Sequence, residues 1–200
     1  GIRHARGEVI VRVDGHCVLE PDYVRQCVRY LAQTGADNVG GLLRARGENF
    51  MGEAIAIAMS SPFGVGDSKF HYAEREQYVD TVYLGAFPRM VFDKVGLFDE
   101  GLSRNQDYEL NYRLRAAGGK IFLTPAIKSW YITRDSLPQL WKQYFQYGFW
   151  KVAVLRKHPR SIKLRQAVPP AFVLILLASG LLGFFSRSSA YLFLGVLSTY

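Results

Sequence analysis

An uncharged segment near the C-terminus limits the fold of this chain more than any other feature. It runs for 20 residues, from Ala167 to Ser186, as AVPPAFVLILLASGLLGFFS. A helix of that length is about 30 Å long and matches the hydrocarbon core of a bilayer. A core helix of a soluble protein normally has a polar stripe, which this segment lacks. We therefore predict a transmembrane helix at 167–186, and we expect the uncharged residues 188–200 to begin a second one.

The charge distribution predicts the orientation of that helix. The net charge is +8, yet residues 1–135 hold 17 basic and 17 acidic residues. Eight basic residues and no acidic one follow Asp135, and six of them crowd into residues 151–165, just before the apolar run. By the positive-inside rule, we expect the part before the helix to be cytoplasmic, and we expect the protein to lie in the cell (inner) membrane. A basic excess confined to this segment makes nucleic acid an unexpected partner.

Upstream of this segment, short apolar runs alternate with amphipathic ones. Strands are expected at 8–13, 37–44, 79–84, 120–123 and 127–132. Helices are expected at 21–34, 49–59, 88–95, 106–117 and 136–158. This alternation predicts an α/β layer with a largely parallel sheet, in which ligands bind at the carboxyl ends of the strands.

The first expected strand ends in Asp14-Gly15-His16. An acid and an imidazole two residues apart can face one point where a strand breaks into a turn, and Gly15 permits that turn. Oxygen and imidazole ligands suit Mg²⁺ or Mn²⁺ held jointly with phosphate oxygens. An ordinary surface turn, with Asp14 capping the next helix and His16 solvated, is an equal alternative.

A second polar cluster begins the helix expected at 106–117. Asn105 is expected to cap this helix, which puts Asp107 in its first turn, where the helix dipole favours an ionised carboxylate. At the mouth of a sheet, such a carboxylate can accept a proton from an attacking hydroxyl. Glu109 points away from Asp107 on the helix, so we expect one acid in a site and the other to be structural. Two ordinary acids at a helix start are the alternative.

The third cluster is the run QYFQYGFWK at residues 143–151. Its aromatic and amide side chains suit contact with a diphosphate and a sugar. Its place beside the apolar segment also fits an aromatic belt at a membrane interface, above all for Phe149 and Trp150.

In this order, the three clusters resemble family 2 glycosyltransferases, in particular the membrane-attached enzymes that build bacterial exopolysaccharides such as succinoglycan. Residues 13–16, VDGH, correspond to the D-x-D motif, with a histidine in place of the second Asp. Residues 83–89, YLGAFPR, resemble the acceptor loop. Residues 95–114 resemble the stretch that holds the catalytic carboxylate, with Gln-Asp for the usual Glu-Asp pair. Residues 146–150, QYGFW, resemble Q-x-x-R-W, with Phe in place of Arg.

The resemblance implies a GT-A (Rossmann-like) domain in residues 1–151. A basic cytoplasmic linker at 152–166 and the transmembrane segments would follow it. The strand–helix units that hold the nucleoside in this family are expected before Gly1, so the domain is expected to be truncated at its N-terminus.

The resemblance also implies a function, namely inverting transfer of a sugar from a nucleotide diphosphate sugar to a lipid-linked saccharide or polysaccharide acceptor. Asp14 and His16 would bind Mg²⁺ or Mn²⁺, and Asp107 would be the catalytic base. Besides Asp14, the expected donor-binding residues are Gln146, Trp150 and Lys151, with Lys151 as the replacement for the missing Arg charge. The expected acceptor-side residues are Gly85, Ala86, Arg89 and Gln106. The alternatives from other classes are a non-catalytic, membrane-anchored sugar-binding module and a protein that binds anionic lipid.

Overall fold

A six-stranded mixed sheet lies at the centre of residues 1–158 in the computed structural model, which describes residues 1–198 apart from the side chain of Arg165. The strands are β1 (Val9–Val11), β2 (Cys17–Leu19), β3 (Asn38–Arg46), β4 (Gln77–Tyr78), β5 (Tyr83–Pro88) and β6 (Ile121–Ile132). Their order across the sheet is β1-β5-β3-β6-β2, and β4 also pairs with β6.

The strand directions differ from the expected ones. Among the strands that the structure describes, only β3 and β6 run parallel, whereas the other four pairs are antiparallel. The prediction of a largely parallel sheet is therefore wrong. The long connection between β3 and β5 reverses the chain, so that β5 runs back along β3 with Tyr83 opposite Gly41. An alternation of strands and helices along a sequence does not encode such a reversal.

Helices pack against both faces of this sheet, because alternate residues of its strands belong to two separate core clusters. The helices of residues 1–158 are α1 (Tyr23–Thr34), α2 (Phe50–Met59), α3 (Pro62–Val65), α4 (Met90–Val95), α5 (Gln106–Ala116) and α6 (Leu137–Lys157). Helix α1 contributes a buried stripe at a spacing of four residues, Tyr23, Cys27 and Leu31, to one cluster. Helices α4 and α5 contribute to the other. The mixed α/β class predicted from the sequence is confirmed.

Strand β6 is one continuous strand where the sequence predicted two. Its register against β3 shifts between Gly40 and Leu42, and the two backbones approach closely there. A Cβ atom added at Gly41 would lie 1.9 Å from the carbonyl oxygen of Ile127. Only glycine therefore allows β3 to follow β6 through this bend.

The C-terminal unit begins at Pro159 and contains α7 (Leu164–Gly183) and α8 (Arg187–Ser198). Residues 166–183 of α7 have a mean hydropathy of 1.8, and only 6% of this stretch is buried. By length and composition, this is the one helix of the described residues that could cross a membrane. It begins earlier and ends earlier than the expected 167–186. The described part of the second expected segment is α8, while its residues 199 and 200 lie outside the described residues.

Candidate functional site

Asp14 and Asp107, which the sequence assigns to different clusters, are joined by the side chain of Arg12. The Nη2 atom of Arg12 lies 2.9 Å from Oδ1 of Asp14, and its Nη1 atom forms an ion pair with Oδ2 of Asp107. The guanidinium carbon lies 5.6 Å from the centroid of the Phe98 ring. The backbone N–H of Arg12 donates to the carbonyl of Gly85 at 3.0 Å. The turn that holds Asp14, the start of α5 and the expected acceptor side of β5 thus meet at Arg12.

Asp14 and His16 lie in the turn between β1 and β2. The carbonyl of Asp14 closes this turn by accepting hydrogen bonds from the backbone N–H and the thiol of Cys17, at 3.2 and 2.9 Å. The side chain of Asp14 is 23% exposed. His16 is exposed and packs edge-on against Tyr131, with the ring centroids 5.5 Å apart. Asp14 does not cap α1, whose N-cap residue is Asp22, so that part of the surface-turn alternative is wrong.

The fit of this pair to a metal ion is partial. No group of three or more His, Cys, Asp or Glu side chains among residues 1–198 is arranged to hold a metal ion. A carboxylate and an accessible imidazole are suitable donors for Mg²⁺ or Mn²⁺, but most of the shell would come from ligand oxygens and water. By donor type alone, Asp14 and His16 would suit two positions of an open site.

The start of α5 has the expected position and the expected N-cap residue, but the side chain of that residue makes no capping hydrogen bond. Asn105 is the N-cap residue in a left-handed conformation (φ 62°), which asparagine tolerates, and its amide donates to the carbonyl of Tyr147 at 3.0 Å. Asp107 lies in the first turn, as predicted, with 34% of its side chain exposed. The amide of Gln106 donates to the carbonyl of Leu102, so its side chain is held by the loop before the helix.

Glu109 has a different environment from Asp107. Its side chain is only 3% exposed and accepts hydrogen bonds from Arg113 Nε (2.7 Å), Arg113 Nη2 (2.8 Å) and His158 Nε2 (2.8 Å). Burial by itself would raise the pKa of Glu109, but the hydrogen bonds from Arg113 and His158 outweigh it, and the pKa is lowered. Arg113 also donates to the carbonyls of Val95, the last residue of α4, and of Leu97. Glu109 therefore joins α5 to the residue that follows α6.

Helix α6 brings the third cluster next to the other two. Nε2 of Gln143 donates to the hydroxyl groups of Tyr131 (3.1 Å) and Tyr147 (2.9 Å), and its Oε1 accepts from Nε of Arg134 (2.8 Å). Gln143 begins the third cluster but is not among its expected donor-binding residues. The helical spacing could have identified it, because Gln143, Tyr147 and Lys151 follow one another at intervals of four residues on the inner face of α6.

Two of the three expected donor-binding residues of α6 contact residues on either side of Asp107. Oε1 of Gln146 accepts from Nε and Nη2 of Arg104 at 3.4 and 3.3 Å. Nζ of Lys151 lies 3.0 Å from the centroid of the Tyr108 ring. Trp150 is half-buried and packs edge-on against the neighbouring phenylalanine ring.

The expected acceptor-side residues have mainly structural contacts. Gly85 and Ala86 are buried in β5, and a Cβ atom at Gly85 would lie 2.3 Å from Oδ1 of Asn38. These two residues can shape a site only through their backbone. Nε of Arg89 donates to the carbonyl of Gly7 at 2.9 Å, so this side chain holds the N-terminal segment.

The hydroxyl group of Tyr83 adds a polar atom near Asp14, and Tyr147 lies near Tyr83. Burial, reinforced by the charge of Asp14, raises the pKa of Tyr83 well above its usual value, and burial also raises the pKa of Tyr147. Both phenols therefore stay protonated and can donate hydrogen bonds. In the described part of the chain, the buried hydroxyl of Tyr83 has no hydrogen-bond partner.

Comparison with known proteins gives one family and two curated relatives. Residues 1–96 match the family model described as Glycosyl transferase family 2. The chain is 32% identical over 167 residues to the succinoglycan biosynthesis protein ExoA of Rhizobium meliloti (strain 1021), covering 84% of this chain and 51% of that protein. It is 29% identical over 163 residues to a dolichyl N-acetyl-alpha-D-glucosaminyl phosphate 3-beta-D-2,3-diacetamido-2,3-dideoxy-beta-D-glucuronosyltransferase of Methanococcus voltae, covering 78% of this chain and 50% of that protein. The chain spans about half the length of these curated relatives.

Among solved structures, a crystal structure of GalNAc-T7 with UDP, GalNAc and Mn2+ superposes with a TM-score of 0.47 and 17% identity. The match covers 68% of this chain and 29% of that chain. A likeness of this size bears on neither substrate nor mechanism.

Proposed function

We propose that the protein is an inverting glycosyltransferase, because residues 1–96 match the family 2 model and the chain is 32% identical to ExoA over 167 residues, in agreement with its three clusters. It would move a sugar from a nucleotide diphosphate sugar to a lipid-linked saccharide or polysaccharide acceptor. The observation that carries this proposal is the meeting of Asp14 and Asp107 at Arg12, because it joins an expected donor-side carboxylate to an expected base.

In this mechanism, Asp107 accepts the proton of the acceptor hydroxyl while the hydroxyl oxygen attacks the anomeric carbon. The bond from that carbon to the diphosphate breaks on the opposite face, so the configuration inverts. The partial exposure of Asp107 lets a hydroxyl group approach, and its place in the first turn of α5 favours the ionised form. Glu109 is excluded from this role because its buried carboxylate is occupied by Arg113 and His158.

Asp14 and His16 would hold Mg²⁺ or Mn²⁺ beside the donor diphosphate. Bound there, such an ion neutralises the charge that develops on the leaving group. The amide of Gln146, the ring of Trp150 and the ammonium group of Lys151 would bind the donor from α6. Gln106 and the backbone of Gly85 and Ala86 would form the acceptor side together with Arg89.

We propose that residues 1–151 are part of a GT-A domain, followed by a basic linker at 152–166 and membrane segments at 167–186 and 188–200. The charge asymmetry and the composition of α7 support attachment to the cell (inner) membrane with the transferase domain in the cytoplasm. Helix α6 adds support, since large apolar side chains on its outer face are exposed: Leu137, Trp141, Phe145, Phe149 and Val152.

The test uses the full-length protein in membranes with a panel of UDP- and GDP-sugars, Mn²⁺ and a lipid extract as the acceptor source. We expect one donor to be consumed with transfer of its sugar to lipid-linked material. Donor consumption that is the same in a membrane preparation lacking the protein would contradict the proposal. Binding of a donor without any turnover would favour the sugar-binding alternative.

A further inference from the structure

Arg12 belongs to none of the three clusters, yet it contacts residues of two of them and the acceptor side. Its two terminal guanidinium nitrogens contact Asp14 and Asp107, and its backbone N–H donates to the carbonyl of Gly85. The side chain is only 25% exposed and packs on Phe98. A surface arginine that happens to reach one acid would show neither this burial nor this number of partners.

The two carboxylates of Asp14 and Asp107 need a positive group between them. Two carboxylates that share one location repel each other unless a positive group lies between them, and partial burial strengthens the repulsion. A guanidinium group suits this task, because its planar fork can donate to two carboxylates at once, whereas an ammonium group is a single point charge. Within the described residues, the ion pairs of Asp14 and Asp107 are both made with Arg12.

We propose that Arg12 is a positioning residue with two effects, an inference that rests on the proposed function. It orients Asp107 for the acceptor hydroxyl, and it supplies the counter-charge of Asp14 before the donor binds. The second effect works against a divalent cation at Asp14, because a guanidinium group next to a metal ligand repels the metal and competes for the carboxylate.

This pair of effects gives a signature that a purely structural residue lacks. Loss of Arg12 should strengthen the binding of a divalent cation and at the same time slow transfer. If Arg12 only stabilised the fold, its loss would weaken both properties together.

The experiment compares the full-length wild-type protein with Arg12→Ala, Arg12→Lys and Arg29→Ala. Arg29 is a matched control, since it lies on α1 and packs on the ring of Tyr30 but makes no ion pair in the described structure. Binding of Mn²⁺ alone is measured by electron paramagnetic resonance of the free ion, without a donor. Transfer is then measured at saturating Mn²⁺ and donor, and thermal unfolding verifies that each variant folds.

For Arg12→Ala we expect Mn²⁺ to bind about threefold to tenfold more tightly, as the loss of one partly exposed ion pair allows. The kcat should fall at least ~10-fold, because a small misplacement of a catalytic group costs up to about 100-fold in rate. Arg12→Lys should bind Mn²⁺ like the wild type and recover only part of the kcat. Arg29→Ala should match the wild type in both assays.

Unchanged or weaker Mn²⁺ binding in Arg12→Ala would overturn the inference, and so would an unchanged kcat. If Arg12→Ala fails to fold, Arg12→Lys decides, and a wild-type kcat in that variant would refute the positioning role. Absence of transfer in the wild type with every donor would refute the proposed function instead, while the Mn²⁺ comparison would still test the counter-charge.

Discussion

Asp107 and Glu109 lie in the first turn of one helix, yet their surroundings give them opposite chemistry. Asp107 is partly exposed and shares Arg12 with Asp14, whereas Glu109 is buried between Arg113 and His158. Their spacing of two residues separates them on the helix surface, so one faces the candidate site and the other faces the packed interior. At this scale, function follows from the exposure and the partners of a carboxylate and not from its residue type.

Replacement of the expected base tests this difference. In the full-length protein, Asp107→Asn should lower kcat by at least ~100-fold, because the amide cannot accept the proton of the acceptor hydroxyl. Donor affinity should change by less than about threefold, since the base acts on the acceptor and not on the nucleotide. Steady-state kinetics with a titration of donor binding measures both. Asp93→Asn is the control, as Asp93 is an exposed acid in the first turn of α4. An active Asp107→Asn enzyme would contradict the assignment.

Glu109 should control stability instead of catalysis. Glu109→Gln removes the charge that balances Arg113 in a buried place, so the free energy of unfolding should fall by about 3 kcal/mol at neutral pH. Because the folded pKa of Glu109 is lowered, its stabilisation is complete above the unfolded pKa of about 4.3 and is lost as the pH falls through the folded value. The difference between wild type and variant should therefore shrink below about pH 4.

Denaturant unfolding at several pH values measures this difference, with Glu100→Gln as the control because Glu100 is an exposed loop residue. A difference that stayed constant down to the lowest pH at which the protein is folded would contradict the role given to the Glu109 charge.

At the scale of elements, the sequence predicted what local chemistry determines. The start of α2 is one example: the helix was expected from residue 49, and Oδ1 of Asn49 caps it by accepting from the N–H of Gly52 at 2.7 Å. Gly35 and Gly96 end α1 and α4 as expected, each with positive φ. These features depend on neighbours within a few residues, and so a single sequence carries them.

Features that depend on partners distant in the chain could not be predicted from the sequence. The strand directions follow from pairings between segments tens of residues apart, and β2 is only three residues long. Arg12 matters because of its ion pair with Asp107, which is 95 positions away in the sequence. Gln143 matters because of its hydrogen bond to Tyr131, which lies on β6. Residue type and local position suggested Asp14 and Asp107 as site residues. They did not suggest Arg12, which joins the two.

Substitutions at two glycines test how closely β3 must approach β6. Gly41→Ala should prevent the close contact of β3 with β6, because its Cβ would overlap the carbonyl of Ile127, and the protein should lose folded yield or melt far lower. Gly148 lies inside α6 with nothing within 4 Å of an added Cβ. Gly148→Ala should stabilise the protein by about 0.5–1 kcal/mol through helix propensity. Expression yield and thermal melting compare the two, and equal effects would contradict the close approach.

At the scale of the whole molecule, the membrane proposal predicts which residues face each side. In a cysteine-free variant of the full-length protein, Arg160→Cys should react with an impermeant maleimide only after the cells are permeabilised. Arg187→Cys should react in intact cells, because Arg187 follows the apolar stretch of α7. The positive-inside rule is the physical reason for this order. Labelling of position 160 from outside would contradict both the orientation and the cytoplasmic supply of the donor.

The contacts between α5 and α6 have a consequence for how such a domain can be recombined. Polar contacts join α6 and its C-cap to α5 and the loop before it at several heights: Asn105 to Tyr147, Arg104 to Gln146, Lys151 to Tyr108, Lys157 to Asp99 and His158 to Glu109. We therefore expect that residues 97–158 must be exchanged together with a relative, and not α6 alone, if these contacts are to be kept. A chimera that takes α6 alone from a relative should lose folded yield and transfer. A chimera that takes the entire block should keep more of both, provided that its β6 still fits against β3, and equal performance of the two chimeras would contradict this expectation.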